Sequence, residues 1–219
     1  MHITVKNLIE IQKKIEYELS ISNYKNLPNI IAVSKTFKID KILPLIQHGH
    51  LDFGENKVQE AIDKWTEIKE KEPKIKLHMI GKLQTNKVKF AVKLFDYIHS
   101  VDSEKLAKKI ADEQLKTQRK IKIFIQVNIG NENQKTGINK NEINKLVNYC
   151  KKLDLNVVGF MCIPPVDTDP SNYFNEMHKI NEFYDFKELS MGMSSDYLEA
   201  VQHHATHLRI GSNIFGQRY

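Results

Sequence analysis

The sequence contains few cysteines and no long apolar run. Only Cys150 and Cys162 occur among its 219 residues, and two thiols so far apart are typical of reduced cysteines in a cytoplasmic protein. No segment approaches the ~20 apolar residues of a membrane span. The amphipathic N-terminus lacks the apolar core and cleavage site of a secretory signal. We therefore expect a cytoplasmic protein that makes no use of a membrane.

Arginine is also scarce, although the formal net charge is +6. The only arginines are Arg119, Arg209 and Arg218, and the lysines are spread along all the predicted helices. A nucleic-acid reader usually clusters its basic residues on one face and uses arginine at base edges. The sequence therefore predicts no specific nucleic-acid partner, and only a weak, nonspecific affinity for polyanions stays open.

Proline and glycine are dispersed, and no linker or internal repeat is visible, which indicates one domain over residues 1–219. Short β-branched runs predict eight strands, and apolar stripes at helical spacing lie between several of them. The predicted strands are 30–34, 51–54, 77–81, 97–101, 121–129, 157–163, 189–193 and 208–211. The clearest helical stripes are 58–65, 106–115 and 143–150, and an extra helix over 5–19 precedes the first strand.

The alternation of strands and helices is typical of βαβ units in a parallel sheet. Eight such units predict a (β/α)8 barrel of the TIM type, which a chain of this length can form. The alternative is a doubly wound open sheet, which would normally carry a Gly-rich turn after its first strand. Here the first strand leads into Ser34-Lys35-Thr36 without a glycine, and this favours the barrel.

Lys35 stands at the end of the first predicted strand, where a barrel has its active site. Because an almost continuous apolar strand precedes it, its side chain could be desolvated. Burial lowers the pKa of a lysine and produces an amine suited to Schiff-base chemistry. The alternative is a lysine whose ammonium group reaches solvent, and position alone favours that alternative.

Small and hydroxyl-bearing residues follow the last two predicted strands, namely Ser194, Gly211 and Ser212. The loops after strands seven and eight are the usual phosphate site of this barrel. The alternative is that Ser194 or Ser212 simply caps a helix. Both roles use the same geometry, so the two interpretations remain open together.

Three histidines raise the question of a metal site. His203 and His207 have the i, i+4 spacing of a zinc-binding helix, and His204 lies between them. No HExxH glutamate or third ligand accompanies them, and helical spacing is expected to break where the segment enters the last strand. We therefore predict no metal site and assign these histidines no role.

Several motifs together resemble a known family. In order they are Ala32–Thr36, Phe53–Glu60, His78–Lys87, Gln126–Ile129, Gln134–Gly137, Gly159–Pro165, Met191–Ser194 and Arg209–Gly216. They span nearly the whole chain, and the pattern is similar to the YggS/PROSC family of pyridoxal 5′-phosphate (PLP) homeostasis proteins.

The resemblance implies a PLP barrel of fold type III, like the N-terminal domain of alanine racemase. It implies that Lys35 forms an aldimine with PLP and that Asn56 lines the ring pocket. Arg209 would approach the pyridine nitrogen. The phosphate would be held by Ser194, Gly211 and Ser212.

The family resemblance also implies a role without established turnover: carrying, buffering or delivering PLP and balancing vitamin B6 and amino-acid pools, with apo-enzymes as partners.

The implied arginine also predicts weak catalysis. An arginine at the pyridine nitrogen of PLP keeps that nitrogen unprotonated and weakens PLP as an electron sink. The sequence ends at Tyr219, shortly after the last predicted strand, so a second domain with a second base is not expected, and we expect a monomer. Two alternatives stay open: a low-activity amino-acid racemase, and a phosphate-binding barrel enzyme that uses a Lys35 Schiff base without PLP.

Overall fold

The computed structural model describes residues 1–22, 24, 26–132, 134 and 136–217. Within this part of the chain, eight parallel strands close into a barrel in sequence order, because β1 pairs with both β2 and β8. The strands are β1 (Asn29–Val33), β2 (Asp52–Glu55), β3 (Lys76–Met79), β4 (Tyr97–Val101), β5 (Lys122–Val127), β6 (Asn156–Cys162), β7 (Glu188–Met193) and β8 (His207–Ile210). Lys135 of the Gln134–Gly137 motif and the end of the predicted domain lie outside the described residues.

The predicted (β/α)8 barrel is confirmed, and the open-sheet alternative is wrong. Every predicted strand is present and differs from the observed one by at most two residues at either end. The register explains the closure: Asn29 to Ala32 of β1 pair in parallel with His207 to Ile210 of β8, so neither strand is left as an edge.

Helices cover the outside of the barrel. In the described residues they are α1 (Ile3–Ile21), α2 (Ile39–Gln47), α3 (Val58–Lys71), α4 (Val88–Leu94), α5 (Glu104–Thr117), α6 (Ile143–Lys152), α7 (Ser171–Phe183), α8 (Tyr197–Gln202) and α9 (Ser212–Phe215). The predicted extra N-terminal helix is α1, which packs against α2, α8 and α9. None of the helices in the described ranges has the length and apolar character needed to cross a membrane.

The apolar residues form two layers. The larger one lies between the strands and the surrounding helices. The smaller one consists of Tyr97, Phe124 and Met161 inside the barrel. Histidines and other polar side chains share this interior, which in most barrels of this type is dominated by branched aliphatic residues. The barrel interior is therefore unusually polar.

Candidate functional site

A cavity of about 800 Å³ opens at the carboxyl ends of the strands. Its wall contains all six of the predicted site residues, which come from positions 35 to 212: Lys35, Asn56, Ser194, Arg209, Gly211 and Ser212. The structure thus brings together residues that are far apart in the sequence. Ser195, Asn213 and Gln217 also line the cavity, and sequence reasoning did not single them out.

Lys35 lies in a tight turn that leaves β1 and is half-buried. The backbone N–H of Ser34 donates to the carbonyl of Gly54 at 3.0 Å, and the N–H of Phe37 donates to the carbonyl of Ser34 at 3.1 Å. Thr36 has a φ of 68°, a left-handed conformation that is unusual for a β-branched residue. Backbone hydrogen bonds therefore hold the turn around Lys35 in a strained conformation.

A buried carboxylate supports the β1 side of this turn. Glu55 Oε1 accepts hydrogen bonds from Ser34 Oγ at 2.7 Å, Trp65 Nε1 at 2.9 Å and Lys64 Nζ at 2.9 Å. Lys64 also donates to the carbonyl of Ser34 at 2.9 Å. Because the Glu55 carboxylate is fully buried, this ion pair and these hydrogen bonds are needed to offset its desolvation.

A second carboxylate, which belongs to α3, supports the other side of the turn. Glu60 Oε1 accepts from the backbone N–H of Thr36 at 2.5 Å and from Lys64 Nζ at 3.0 Å. Partial burial raises the pKa of Glu60, but these two hydrogen bonds and the charges of Lys64 and Lys57 together outweigh it and leave the pKa below its ordinary value. Sequence reasoning missed the roles of Glu55 and Glu60, although both stand in the motif quoted for the resemblance.

Asn56 is set on the cavity wall by a close approach of two backbones. A Cβ on Gly81 would lie 2.4 Å from the carbonyl oxygen of Asn56, so only glycine allows β3 and the segment after β2 to meet there. Asn56 Oδ1 is buried and has no hydrogen-bond partner among the described residues. A buried polar atom of this kind needs an explanation, and a ligand in the cavity supplies one.

The ends of β7 and β8 form a polar corner of the cavity. The backbone N–H of Gly211 donates to Ser194 Oγ at 3.2 Å, and Asn213 Nδ2 donates to the carbonyl of Ser194 at 2.8 Å. The N-cap residues of α8 and α9 are Asp196 and Gly211. The alternative in which Ser194 or Ser212 caps a helix is therefore wrong.

Arg209 is the buried cation of the cavity wall. Its side chain donates to Ser190 Oγ at 2.7 Å and to the carbonyl of Cys162 at 2.9 Å. Within the described part of the chain no carboxylate forms an ion pair with it, and burial lowers its pKa. Burial also raises the pKa of the Cys162 thiol to about 12, against the opposing charge of Arg209. Cys162 is thus a buried, free thiol of the core.

The three histidines noted in the sequence do not share a helix face. Helix α8 ends at Gln202, His203 is its C-cap, and His204 has a φ of 66°. His207 lies in β8, inside the barrel. The predicted break in helical spacing is confirmed. No cluster of metal-ligating side chains is present in the described ranges.

Comparison with known proteins identifies the family. The model of the alanine racemase N-terminal domain matches residues 16–219. The pyridoxal phosphate homeostasis protein of Buchnera aphidicola is 38% identical over 222 residues, covering 95% of each chain. The chain belongs to the pyridoxal phosphate homeostasis protein family. The human pyridoxal phosphate homeostasis protein is 36% identical, with 87% of this chain and 77% of the human protein covered.

Solved structures extend the family assignment to the fold. The structure of PipY from Synechococcus elongatus with PLP bound has a TM-score of 0.84 and 31% sequence identity, and the match covers 94% of this chain and 100% of PipY. Alanine racemase from Clostridium difficile has a TM-score of 0.74 at 13% identity, with 99% of this chain and 57% of the racemase covered. The similarity to the racemase, at 13% identity, shows only that the two proteins share the barrel fold. The similarity to PipY is one of both fold and sequence.

Proposed function

We propose that this protein binds PLP in the cavity at the carboxyl ends of the strands, and that it carries or buffers PLP to maintain vitamin B6 and amino-acid balance. The observation that carries the proposal is the convergence of a lysine amine, a hydroxyl-rich corner and a buried arginine on one cavity wall. The names of the relatives and the PLP-bound PipY structure support the same conclusion.

Two features of the cavity fit a bound cofactor. Asn56 Oδ1 is buried without a partner among the described residues, and a polar ligand would satisfy it. A Cβ on Gly211 would meet Val33 only at 3.5 Å, and the φ of Gly211 is −114°. The protein itself therefore does not require glycine there, whereas a phosphate approaching the backbone would.

The residues of the cavity wall divide three roles in this proposal. Lys35 supplies the amine that attaches PLP covalently, and Ser194, Gly211 and Ser212 hold its phosphate. Arg209 would face the pyridine nitrogen, where its permanent charge would keep a proton off the ring. PLP supplies an electron sink when bound, and an unprotonated nitrogen weakens it.

The cavity wall favours carriage over catalysis. Lys35 and Arg209 are the only titratable side chains among its described lining residues, so no histidine, tyrosine or carboxylate stands there as a second base. Racemisation needs a proton removed on one face of the substrate and returned on the other. We propose that any racemase activity is correspondingly low.

The proposal is tested with purified protein and PLP. We expect a visible absorbance band, and after borohydride reduction we expect mass spectrometry to locate the adduct on Lys35. Lys35→Ala should abolish the adduct, while Lys38→Ala, at a neighbouring exposed lysine, should retain it. An adduct on Lys38 or Lys82 would overturn the assignment. No absorbance band after PLP addition would instead favour a barrel enzyme that works without PLP.

Turnover and delivery need separate measurements. Amino-acid racemisation well above that of free PLP would contradict the carrier role and favour the racemase alternative. We propose that residues 1–219 act as one unit, a cytoplasmic monomer, and that apo-enzymes accept the PLP. Light scattering tests the monomer, and reactivation of an apo-enzyme by the PLP-loaded protein tests delivery, with free PLP at equal concentration as the control.

A further inference from the structure

A chain of hydrogen-bonded side chains crosses the interior of the barrel. It begins at Asp52, the first residue of β2, whose side chain is 18% exposed. It ends at Arg209, which lines the cavity at the opposite end of the strands. Its links are Asp52 Oδ1 to His78 Nε2 at 3.0 Å, His78 Nδ1 to His99 Nε2 at 3.0 Å, His99 Nδ1 to Ser190 Oγ at 2.9 Å, and Ser190 Oγ to Arg209 at 2.7 Å.

The two ends of this chain favour one direction for every link. Arginine can only donate, and a carboxylate can only accept. Ser190 Oγ accepts from Arg209, so its own hydrogen is available for His99 Nδ1. His99 then donates from Nε2 to His78 Nδ1, and His78 donates from Nε2 to Asp52.

The reverse direction is disfavoured at two places. If His99 carried its proton on Nδ1, the hydroxyl hydrogen of Ser190 would have no acceptor within the chain. His78 would then turn a nitrogen lone pair toward the Asp52 carboxylate. In a buried site each of these mismatches carries a substantial penalty, so the forward direction is the stable one.

Ring packing holds the two histidines in place for these contacts. His78 stacks on Tyr97 with 4.4 Å between ring centroids, and His99 stacks on Phe124 at 4.3 Å. Both imidazoles are fully buried. Burial lowers the pKa of each, which agrees with neutral rings that donate from one nitrogen and accept at the other.

We propose that Asp52, His78, His99 and Ser190 form a one-way hydrogen-bond relay that positions Arg209 at the cavity wall and couples it to the opposite mouth of the barrel. The relay explains why the interior of the barrel is polar, because a fully satisfied hydrogen-bond network can fix one arrangement of a core. Asp52 is a positioning residue in this scheme and does not touch the cavity. Only the consequence for bound PLP rests on the proposed function.

The direct test needs no cofactor. Nitrogen NMR of 15N-histidine-labelled wild-type protein should assign the proton of both His78 and His99 to Nε2 at neutral pH. Assignment follows from His78→Gln and His99→Gln, each of which removes one set of signals. An Nδ1-protonated ring or an imidazolium at either position overturns the relay, whether or not the protein binds PLP.

A second test follows the coupling to the cavity. Asp52→Asn keeps the shape and removes the charge, and we expect the rate of PLP release to change about two- to thirty-fold, the range for coupling through side-chain networks. Asp112→Asn, on the outer helix α5, is the matched control and should leave the rate unchanged. An unchanged rate in Asp52→Asn overturns the coupling. Should Asp52→Asn fail to fold, the wild-type NMR spectrum still decides the direction of the relay.

Discussion

Glu60 Oε1 accepts a hydrogen bond from the backbone N–H of Thr36 at 2.5 Å, which ties α3 to the turn that carries Lys35. On the other side of Lys35, the carbonyl of Ser34 accepts from Lys64 of the same helix. Thr36 has a φ of 68°, and such a conformation persists only where the surroundings enforce it. One helix therefore determines the path of the chain on both sides of Lys35.

Removing the Glu60 carboxylate should loosen this turn. For Glu60→Ala we expect the free energy of unfolding to fall by about 0.5–1.5 kcal/mol, as for the loss of a hydrogen bond and an ion pair at a partly exposed carboxylate. Adduct formation on Lys35 should also slow, because the amine is less well positioned. Denaturant unfolding and stopped-flow absorbance measure the two effects. Glu67→Ala, at an exposed site on the same helix, is the control, and equal rates in both variants would contradict the role given to Glu60.

Two glycines of the cavity should respond differently to alanine. At Gly211 a Cβ has at least 3.5 Å of clearance, so Gly211→Ala should change the unfolding free energy by less than about 1 kcal/mol. Its PLP affinity should fall, because the methyl group occupies the phosphate corner.

At Gly81 a Cβ would lie 2.4 Å from the Asn56 carbonyl oxygen, so Gly81→Ala should lower the stability of the protein itself. Titration with PLP measures the affinity of each variant, and thermal unfolding measures its stability. Full PLP affinity in Gly211→Ala would contradict a phosphate site at the ends of β7 and β8.

Arg209 should control the spectrum of bound PLP. Arg209→Ala should alter the absorbance or speed the release of PLP, because it removes the buried guanidinium. Arg209→Lys should restore the wild-type spectrum and release rate only in part, since an ammonium keeps the charge but cannot reproduce the two directed hydrogen bonds to Ser190 and Cys162. Spectra and release rates identical to the wild type in both variants would remove Arg209 from the cofactor site.

Stability should fall in mild acid because of the histidines inside the barrel. Burial lowers the pKa of His78 and His99 from 6.5, and that of His207 to about 3. Below about pH 6.5 the unfolded chain binds protons that the folded protein excludes, so the unfolding free energy decreases as the pH falls. The loss due to His207 continues until its folded pKa is reached.

Each such histidine contributes a slope of about 1.4 kcal/mol per pH unit within its window. Denaturant unfolding between about pH 7 and pH 5 measures the total slope. His207→Gln should reduce it, whereas His48→Gln, at an exposed position, should not. If the wild type and both variants had the same slope, His207 would be protonated as readily in the folded state as in the unfolded chain.

The amino-acid pattern alone identified the eight strands, their order and the edge at which the site lies. Period-2 and period-3.6 apolar patterns are local, and in a parallel barrel the carboxyl ends of all strands meet at one mouth. The residues at those ends were therefore predictable as neighbours. Several outer helices left weaker signals: α2 contains Pro44, and α4 and α8 span only seven and six residues.

Only the tertiary structure decided how the side chains pair. His99 meets Ser190 across 91 residues of sequence, and Arg209 meets the carbonyl of Cys162 across 47. Such contacts depend on strand register and on which side chains turn inward, and a local pattern encodes neither across so many residues. Strand order could therefore be predicted from the sequence, whereas the support of the Lys35 turn and the polar chain to Arg209 emerged only from the closed barrel.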